Sequence, residues 1–268
     1  MSTSNQVSQG TALVTGASSG IGAVYADRLA RRGYDVIIVA RNAERLKQVA
    51  RRIGDDTGRT VRTVAADLGN KEDLARVEAL LREDRSITLL VNNAGFGGVT
   101  PLLDSDADKM EEMIDVNVTA VMRLTYAVAP KFVQRGKGAI INIASIVAVG
   151  PEILNGVYGG TKAFVLAFTQ SLQHELAGKG VQLQAVLPGA TATEFWDVAG
   201  FPHTNFPSDR VMSTEDMVDA SLVGFDKGEV VTIPPLQDGA DWTSYEASRQ
   251  ALAQKFGHHR PGARYLAA

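Results

Sequence analysis

The chain has 268 residues, 45% of them hydrophobic and 21% charged, a balance that supports a sizeable core and excludes disorder as the overall state. Its 27 Lys and Arg against 30 Asp and Glu give a net charge of −3, with no Lys/Arg run beyond a pair, so neither a nucleic-acid nor an anionic-membrane surface is expected. The absence of Cys excludes disulfides, thiolate metal centres and a cysteine nucleophile.

The polar start MSTSNQVSQG has no basic-then-apolar leader pattern, and no apolar run reaches the roughly 18 residues of a membrane span. The expectation is a cytoplasmic chain with residues 1–10 as a flexible N-terminus. Seven short β-branched runs then read as strands: Ala12 to Thr15, Val36 to Ala40, Val61 to Ala65, Thr88 to Asn92, Ala139 to Ile143, Val181 to Leu187 and Val230 to Ile233. Between them, Ile21, Val24, Ala26 and Leu29 fall at helical spacing. So do Leu46, Val49, Ala50 and Ile53, and then Leu74, Val77, Leu80 and Leu81.

Runs such as DVIIVA and AIINIA show no alternation of apolar and polar residues, so helices should cover both sheet faces. A doubly wound α/β parallel sheet of Rossmann type, in one domain over 1–268, is the expected fold. Residues 189–213, rich in Pro and Gly, are expected to form a lid. Residues 237–268 are expected as a C-terminal extension. The segment AFVLAF, Ala163 to Phe168, is apolar on every side and calls for cover on its outer face, for which a second subunit is the simplest source and burial within its own subunit the alternative.

The first strand runs into TGASSGIG, Thr15 to Gly22. Gly16, Gly20 and Gly22 permit a tight turn and close approach of a pyrophosphate, while Ser18, Ser19 and Ile21 carry the chain into a helix whose N-terminus faces the phosphates. No Lys follows, which argues against a P-loop. The same residues, Gly16-Ala17-Ser18-Ser19-Gly20, fit a G-x-S-x-G nucleophile elbow, but an elbow on the first strand has no preceding strands from which to build an oxyanion loop.

The second strand ends in VARN, with Ala40 where an acid would hold a ribose 2′-hydroxyl and Arg41 next. A planar guanidinium suits a 2′-phosphate, so NADP(H) is expected over NAD(H). Tyr158 and Lys162 in YGGTK stand one helical turn apart, and an ammonium beside a phenol lowers its pKa toward working pH, fitting it for general acid/base work. Ser145 follows the fifth strand, at the sheet end where open α/β folds bind ligands.

In this order TGASSGIG, Asp67-Leu68, NNAG at Asn92 to Gly95, Asn117, Ser145, YGGTK and PGATAT from Pro188 resemble the short-chain dehydrogenase/reductase family in its classical subgroup, from about Thr11 to Thr193. The resemblance implies a catalytic tetrad of Asn117, Ser145, Tyr158 and Lys162. It implies a cofactor surface made by the glycine turn, Arg41, Asp67, Leu68, Asn93, Ala94, Gly95, Pro188, Gly189, Thr191 and Thr193. In the family the Asn helix is locally distorted and holds a water in a relay to the Lys, which suits Asn117, a poor helix former inside VNVTAV. Gly159 and Gly160 depart from the usual Ser-Ala, and Ser19 leaves the glycine turn without a second cation.

The expectation is an NADP(H)-dependent oxidoreductase exchanging a carbonyl and an alcohol, with Tyr158 as acid/base, no metal, and a homodimer or homotetramer as its state. A non-catalytic dinucleotide-binding scaffold would lack a tetrad member, and none is missing. Phe195, Trp196, Phe201 and Phe206 in the lid suit an apolar or ring-bearing ketone or serve to pack the lid on its own domain.

Overall fold

The computed structural model describes residues 9–266, which form two compact units divided between Pro234 and Pro235. Of the N-terminus expected to be flexible, residues 1–8 lie outside the described residues; Gln9 is tied through its carbonyl to Thr88 Oγ1 at 2.9 Å.

The first unit is a seven-stranded parallel sheet in the order β3-β2-β1-β4-β5-β6-β7. The strands are β1 (Thr11–Thr15), β2 (Asp35–Ala40), β3 (Val61–Ala65), β4 (Ile87–Asn92), β5 (Gly138–Ile143), β6 (Val181–Val186) and β7 (Val231–Thr232). The helices are α1 (Gly20–Arg31), α2 (Ala43–Thr57), α3 (Lys71–Glu83), α4 (Ala107–Ile114), α5 (Val121–Arg135), α6 (Gly156–Glu175), the single turn α7 (Phe195–Val198) and α8 (Thr214–Asp226).

Successive strand residues point to opposite faces, so β1 and β2 each feed two cores. Val14 and Ile38 join Tyr25, Leu29, Leu46, Ile53, Met217 and Leu222 of α1, α2 and α8. Leu13 and Ile37 join Leu74, Leu81, Leu124, Val128, Phe132 and Leu172 of α3, α5 and α6. Both faces are therefore covered, as the unalternated strands require.

The chain reverses its winding between β1 and β4, which opens a crevice at their C-terminal ends. Loops from β1, β2, β4, β5 and β6 all reach this edge. Residues 189–213, the expected lid, leave and return at a pinned base: Thr191 bridges Met212, and Thr214 Oγ1 donates to the Ala192 carbonyl at 2.7 Å.

On α5 and α6 an aromatic row faces outward. Exposed Tyr126 stacks on Phe168 at 6.3 Å, and Phe168 on Phe164 at 5.4 Å. The second unit contains α9 (Gly239–Ala253), capped by Asp238 and carrying a stacked Trp242–Tyr245 pair, with no buried residue. Among the described residues, no helix is long and apolar enough to cross a membrane.

Candidate active site

The glycine turn joins β1 to α1 by backbone contacts that side chains would prevent. Gly16 has φ +67°, and a Cβ there would stand 2.8 Å from Ala94 Cα. A Cβ on Gly22 would collide with the Gly16 carbonyl. Asn93 holds the turn from the β4 side, its Nδ2 donating to the Thr15 carbonyl at 2.9 Å. Thr15 Oγ1 accepts from the Asn93 and Ala94 amides, both at 3.0 Å, a role with no signal in the sequence.

Ser19 stands at the N-cap of α1 in extended conformation and makes no side-chain cap bond, whereas Asn42, Asn70, Asn155 and Ser213 cap α2, α3, α6 and α8. The first-turn N–H groups of α1 thus lack a side-chain cap, at a crevice whose backbone is kept bare by glycine. These residues fit a pyrophosphate.

Around the turn, Arg41 is exposed at the end of β2. Asp67 accepts from the Gly69 amide at 3.0 Å, and Leu68 is buried. Ala94 and Gly95 continue β4 into the crevice. A Cβ on Gly95 would lie 2.9 Å from Asn117 Oδ1 and 3.5 Å from Lys162 Nζ. On the β6 side, Pro188 and Gly189 lead to Thr191, whose Oγ1 donates to the Gly189 carbonyl at 3.1 Å. Thr193 packs across to the glycine turn, its methyl 3.3 Å from where a Cβ on Gly20 would stand.

Asn117, Ser145, Tyr158 and Lys162 are all buried and converge at the β5 end of the crevice. The α4–α5 helix is continuous but widens into a π-turn at Asp115–Ala120. There Asn117 Nδ2 donates to the Phe96 carbonyl at 2.8 Å and to Thr161 Oγ1 at 3.1 Å, while its Oδ1 accepts from the Phe96 amide at 3.1 Å. The distortion expected at this Asn is present, and its amide clamps the strand that leaves β4.

Ser145 caps the short turn after β5, and its hydroxyl hydrogen-bonds to the Tyr158 phenol. Tyr158 and Lys162 project from the first two turns of α6, which Asn155 starts by accepting from the Val157 amide at 2.9 Å. Asn155 also donates to the Thr100 carbonyl at 2.6 Å, tying the two loops that flank the site. Lys162 Nζ donates to the Ile143 carbonyl at 2.9 Å and lies 5.8 Å from the Tyr158 ring centroid.

Burial governs both titrations. It pushes the phenol of Tyr158 up to about 12, against the smaller opposing pull of the Ser145 hydrogen bond. It pushes the Lys162 ammonium down to about 8. This reverses the expectation that Lys162 draws the phenol down toward working pH, because desolvation disfavours both charged forms.

Gly159 and Gly160 differ. A Cβ on Gly159 would press on Pro151, 3.1 Å from its carbonyl oxygen, whereas nothing lies within 4 Å of one on Gly160.

A cavity of about 480 Å³ opens beside the site, lined by Val99, Pro101, Leu102, Ile153, Leu154 and Phe206 among others. These residues come from loops, and the sequence carried no pattern for them beyond the aromatic lid. The lid rings form a chain: Phe195 to Trp196 at 5.3 Å, Trp196 to Phe206 at 4.7 Å, and Phe206 to Phe201 at 5.1 Å. The rings pack on one another, Phe195 also rests against Tyr158, and Phe201 and Phe206 line the cavity.

Residues 10–200 match the short chain dehydrogenase family. The chain is 39% identical over 188 residues to a very-long-chain 3-oxoacyl-CoA reductase of Anas platyrhynchos, an alignment covering 68% of this chain and 60% of that enzyme, less than two thirds of its length. It is 37% identical over 188 residues to a serine 3-dehydrogenase of Rhizobium radiobacter, covering 69% of this chain and 74% of that one.

Among solved structures, a short-chain dehydrogenase from Sphingobium yanoikuyae in complex with NADPH superposes with a TM-score of 0.92 at 48% identity, over 96% of this chain and 100% of that one. The bulky-bulky ketone specific alcohol dehydrogenase of Comamonas testosteroni superposes with a TM-score of 0.90 at 43% identity, over 97% and 100%. With its sheet order, its glycine turn and its buried Asn, Ser, Tyr and Lys, the chain belongs to the short-chain dehydrogenase/reductase family, oxidoreductases that interconvert alcohols and carbonyl compounds.

Proposed function

We propose that the protein is an NADP(H)-dependent reductase of ketones, and dehydrogenase of the matching secondary alcohols, with a preference for bulky apolar substrates. The observation that carries this reading is the burial of Ser145, Tyr158 and Lys162 together at the sheet edge, beside an apolar cavity of about 480 Å³. The 43% identity to an alcohol dehydrogenase named for bulky ketones supports the substrate class.

When bound, the nicotinamide supplies or accepts the hydride. Ser145 donates a hydrogen bond to the carbonyl oxygen and fixes its position. Tyr158, held as a neutral phenol, gives its proton to that oxygen as the C–O double bond is reduced; in oxidation the proton returns. Lys162 holds the nicotinamide ribose and stabilises the phenolate left behind. Asn117, bridging Phe96 and Thr161, shapes the route by which the proton is replaced. Arg41 binds the ribose 2′-phosphate, with Asp67 at the adenine and Thr191 and Thr193 at the carboxamide and phosphates. The Tyr126–Phe168–Phe164 row, with Tyr126 exposed and both Phe rings partly buried, is the surface on which two copies associate, which light scattering of the purified chain checks.

The test is oxidation of NADPH and, separately, NADH by the purified protein over a panel of ketones of graded size. Turnover with NADPH that favours ketones bulky on both sides supports the reading. Tight NADPH binding without turnover on any ketone points instead to a dinucleotide-binding scaffold.

A further inference from the structure

Arg45 lies in the first turn of α2, four residues after Arg41, and its Nη1 donates to Glu194 Oε2 at 2.6 Å. The partners come from opposite sides of the nucleotide crevice. Arg45 belongs to the helix that follows β2, while Glu194 is the residue after Thr193, which packs against Gly20 of the glycine turn. The ion pair therefore spans the crevice from the β2 side to the lid.

Helix α2 itself has no use for this cation. A positive side chain in the first turn opposes the helix dipole, which favours anions there. Asn42 caps the turn by accepting from the Arg45 amide at 3.0 Å, and the first-turn acid Glu44 is engaged by Lys47 at 2.7 Å. Among the described residues, the one ion-pair partner of the Arg45 guanidinium is the lid carboxylate, and both side chains of that pair are about half exposed. Arg41 immediately precedes the Asn42 cap of α2 and Arg45 lies in its first turn, and Glu194 is the anion paired with Arg45.

Resting on the NADP(H) reading above, we propose that Arg45 is a second guanidinium for the ribose 2′-phosphate and that Glu194 is the internal carboxylate competing for it. A phosphate presents more charge and more acceptor oxygens than a carboxylate to a planar guanidinium fork. An exposed ion pair is only weakly held, so Arg45 exchanges Glu194 for the phosphate. A 2′-hydroxyl drives no such exchange, and with NAD(H) Arg45 stays on Glu194. The second cation missing from the glycine turn at Ser19 is thus supplied by α2.

The test is fluorescence titration of the full chain with NADPH and with NADH, for the wild type, Arg45→Gln, Arg45→Lys, Glu194→Gln and the double variant Arg45→Gln/Glu194→Gln. Arg41→Gln serves as reference, and thermal melts establish that each variant is folded. Arg45→Gln is expected to weaken NADPH binding about tenfold, the scale of one charge-assisted contact, and NADH binding less than about twofold. Arg45→Lys recovers part of the loss. Glu194→Gln tightens NADPH binding severalfold, and this gain disappears in the double variant.

Equal weakening of both cofactors by Arg45→Gln, or a Glu194→Gln gain that survives without Arg45, would overturn the proposal. If the wild type binds both cofactors equally and Arg41→Gln changes neither, the NADP(H) reading itself fails. If Arg41→Gln abolishes a preference that Arg45→Gln leaves intact, the role of Arg45 alone fails.

Discussion

The ring of Phe195 lies 5.7 Å from that of Tyr158, tilted by 45°, and its Cζ fills the space that a side chain on Gly97 would need. The first residue of the lid helix thus rests on the proposed proton donor, and lid position and phenol position are coupled by direct contact.

Phe195→Ala removes that contact. The expected result is a loss of about 1–2 kcal/mol of stability, a core Phe→Ala cost discounted for half burial. Ketone kcat/KM falls with it, while NADPH affinity is unchanged. Kinetics and cofactor titration on one preparation check this; an equal loss of cofactor affinity would show that the ring acts on the crevice rather than on Tyr158.

Lys162 is a buried ammonium with one backbone acceptor, and that arrangement costs stability. Its folded pKa of about 8 lies below its ordinary 10.5, so the cost is full below pH 8 and is relieved as pH rises toward 10.5. Lys162→Met is therefore expected to stabilise the fold at pH 7 by on the order of 1–3 kcal/mol and to raise Tm by several degrees, while abolishing most turnover. Melts from pH 7 to 10 should show a rise in stability for the wild type that the variant lacks, a pH span taken from the same lowered Lys162 value.

The pH dependence of turnover has a sign of its own. Tyr158, pushed up to about 12, stays protonated through the working range and can act as donor in reduction. Lys162 loses its charge as pH rises through about 8, and with it the cation proposed to stabilise the phenolate that proton transfer leaves on Tyr158. Ketone reduction is expected to decline above about pH 8. A reduction profile flat to pH 10 would contradict the assignment of that limb to Lys162.

Gly22→Ala places a Cβ against the Gly16 carbonyl, backbone that cannot yield as a flexible side chain would. The expected cost is about 1–3 kcal/mol, with loss of NADPH binding, because the turn must shift away from its place over Asn93. Gly160→Ala, with open space at that position, is the control and should be stabilising through helix propensity.

The strands were legible because most are apolar on both faces, and the turn glycines and the Tyr158–Lys162 pair sit in short contiguous motifs, whereas Asn117 and Ser145 stand alone in the sequence. The edge was less so: β7 holds only Val231–Thr232, fewer residues than its β-branched run suggested, with Pro234 and Pro235, which have no N–H for a ladder, following closely. Asn117 announced an irregular helix, but a π-turn needs Phe96, 21 residues away, to take up the side-chain amide. The spacing of Tyr158 and Lys162 showed that they share a helix face and not that both are desolvated, which is what sets their titration. The Arg45–Glu194 pair joins residues 149 apart, and the cavity is lined from unpatterned loops; neither leaves a periodic trace in one sequence.

In the proposed reaction the buried phenol of Tyr158 delivers the proton. Tyr158→Phe removes one oxygen from a packed ring, so the fold and the crevice should stand. Steady-state NADPH oxidation with a turned-over ketone, measured beside NADPH titration, reads that step. The variant's kcat is expected to fall by about 10²- to 10⁴-fold with NADPH affinity within about twofold of wild type. Turnover retained at the wild-type level with NADPH bound would contradict it.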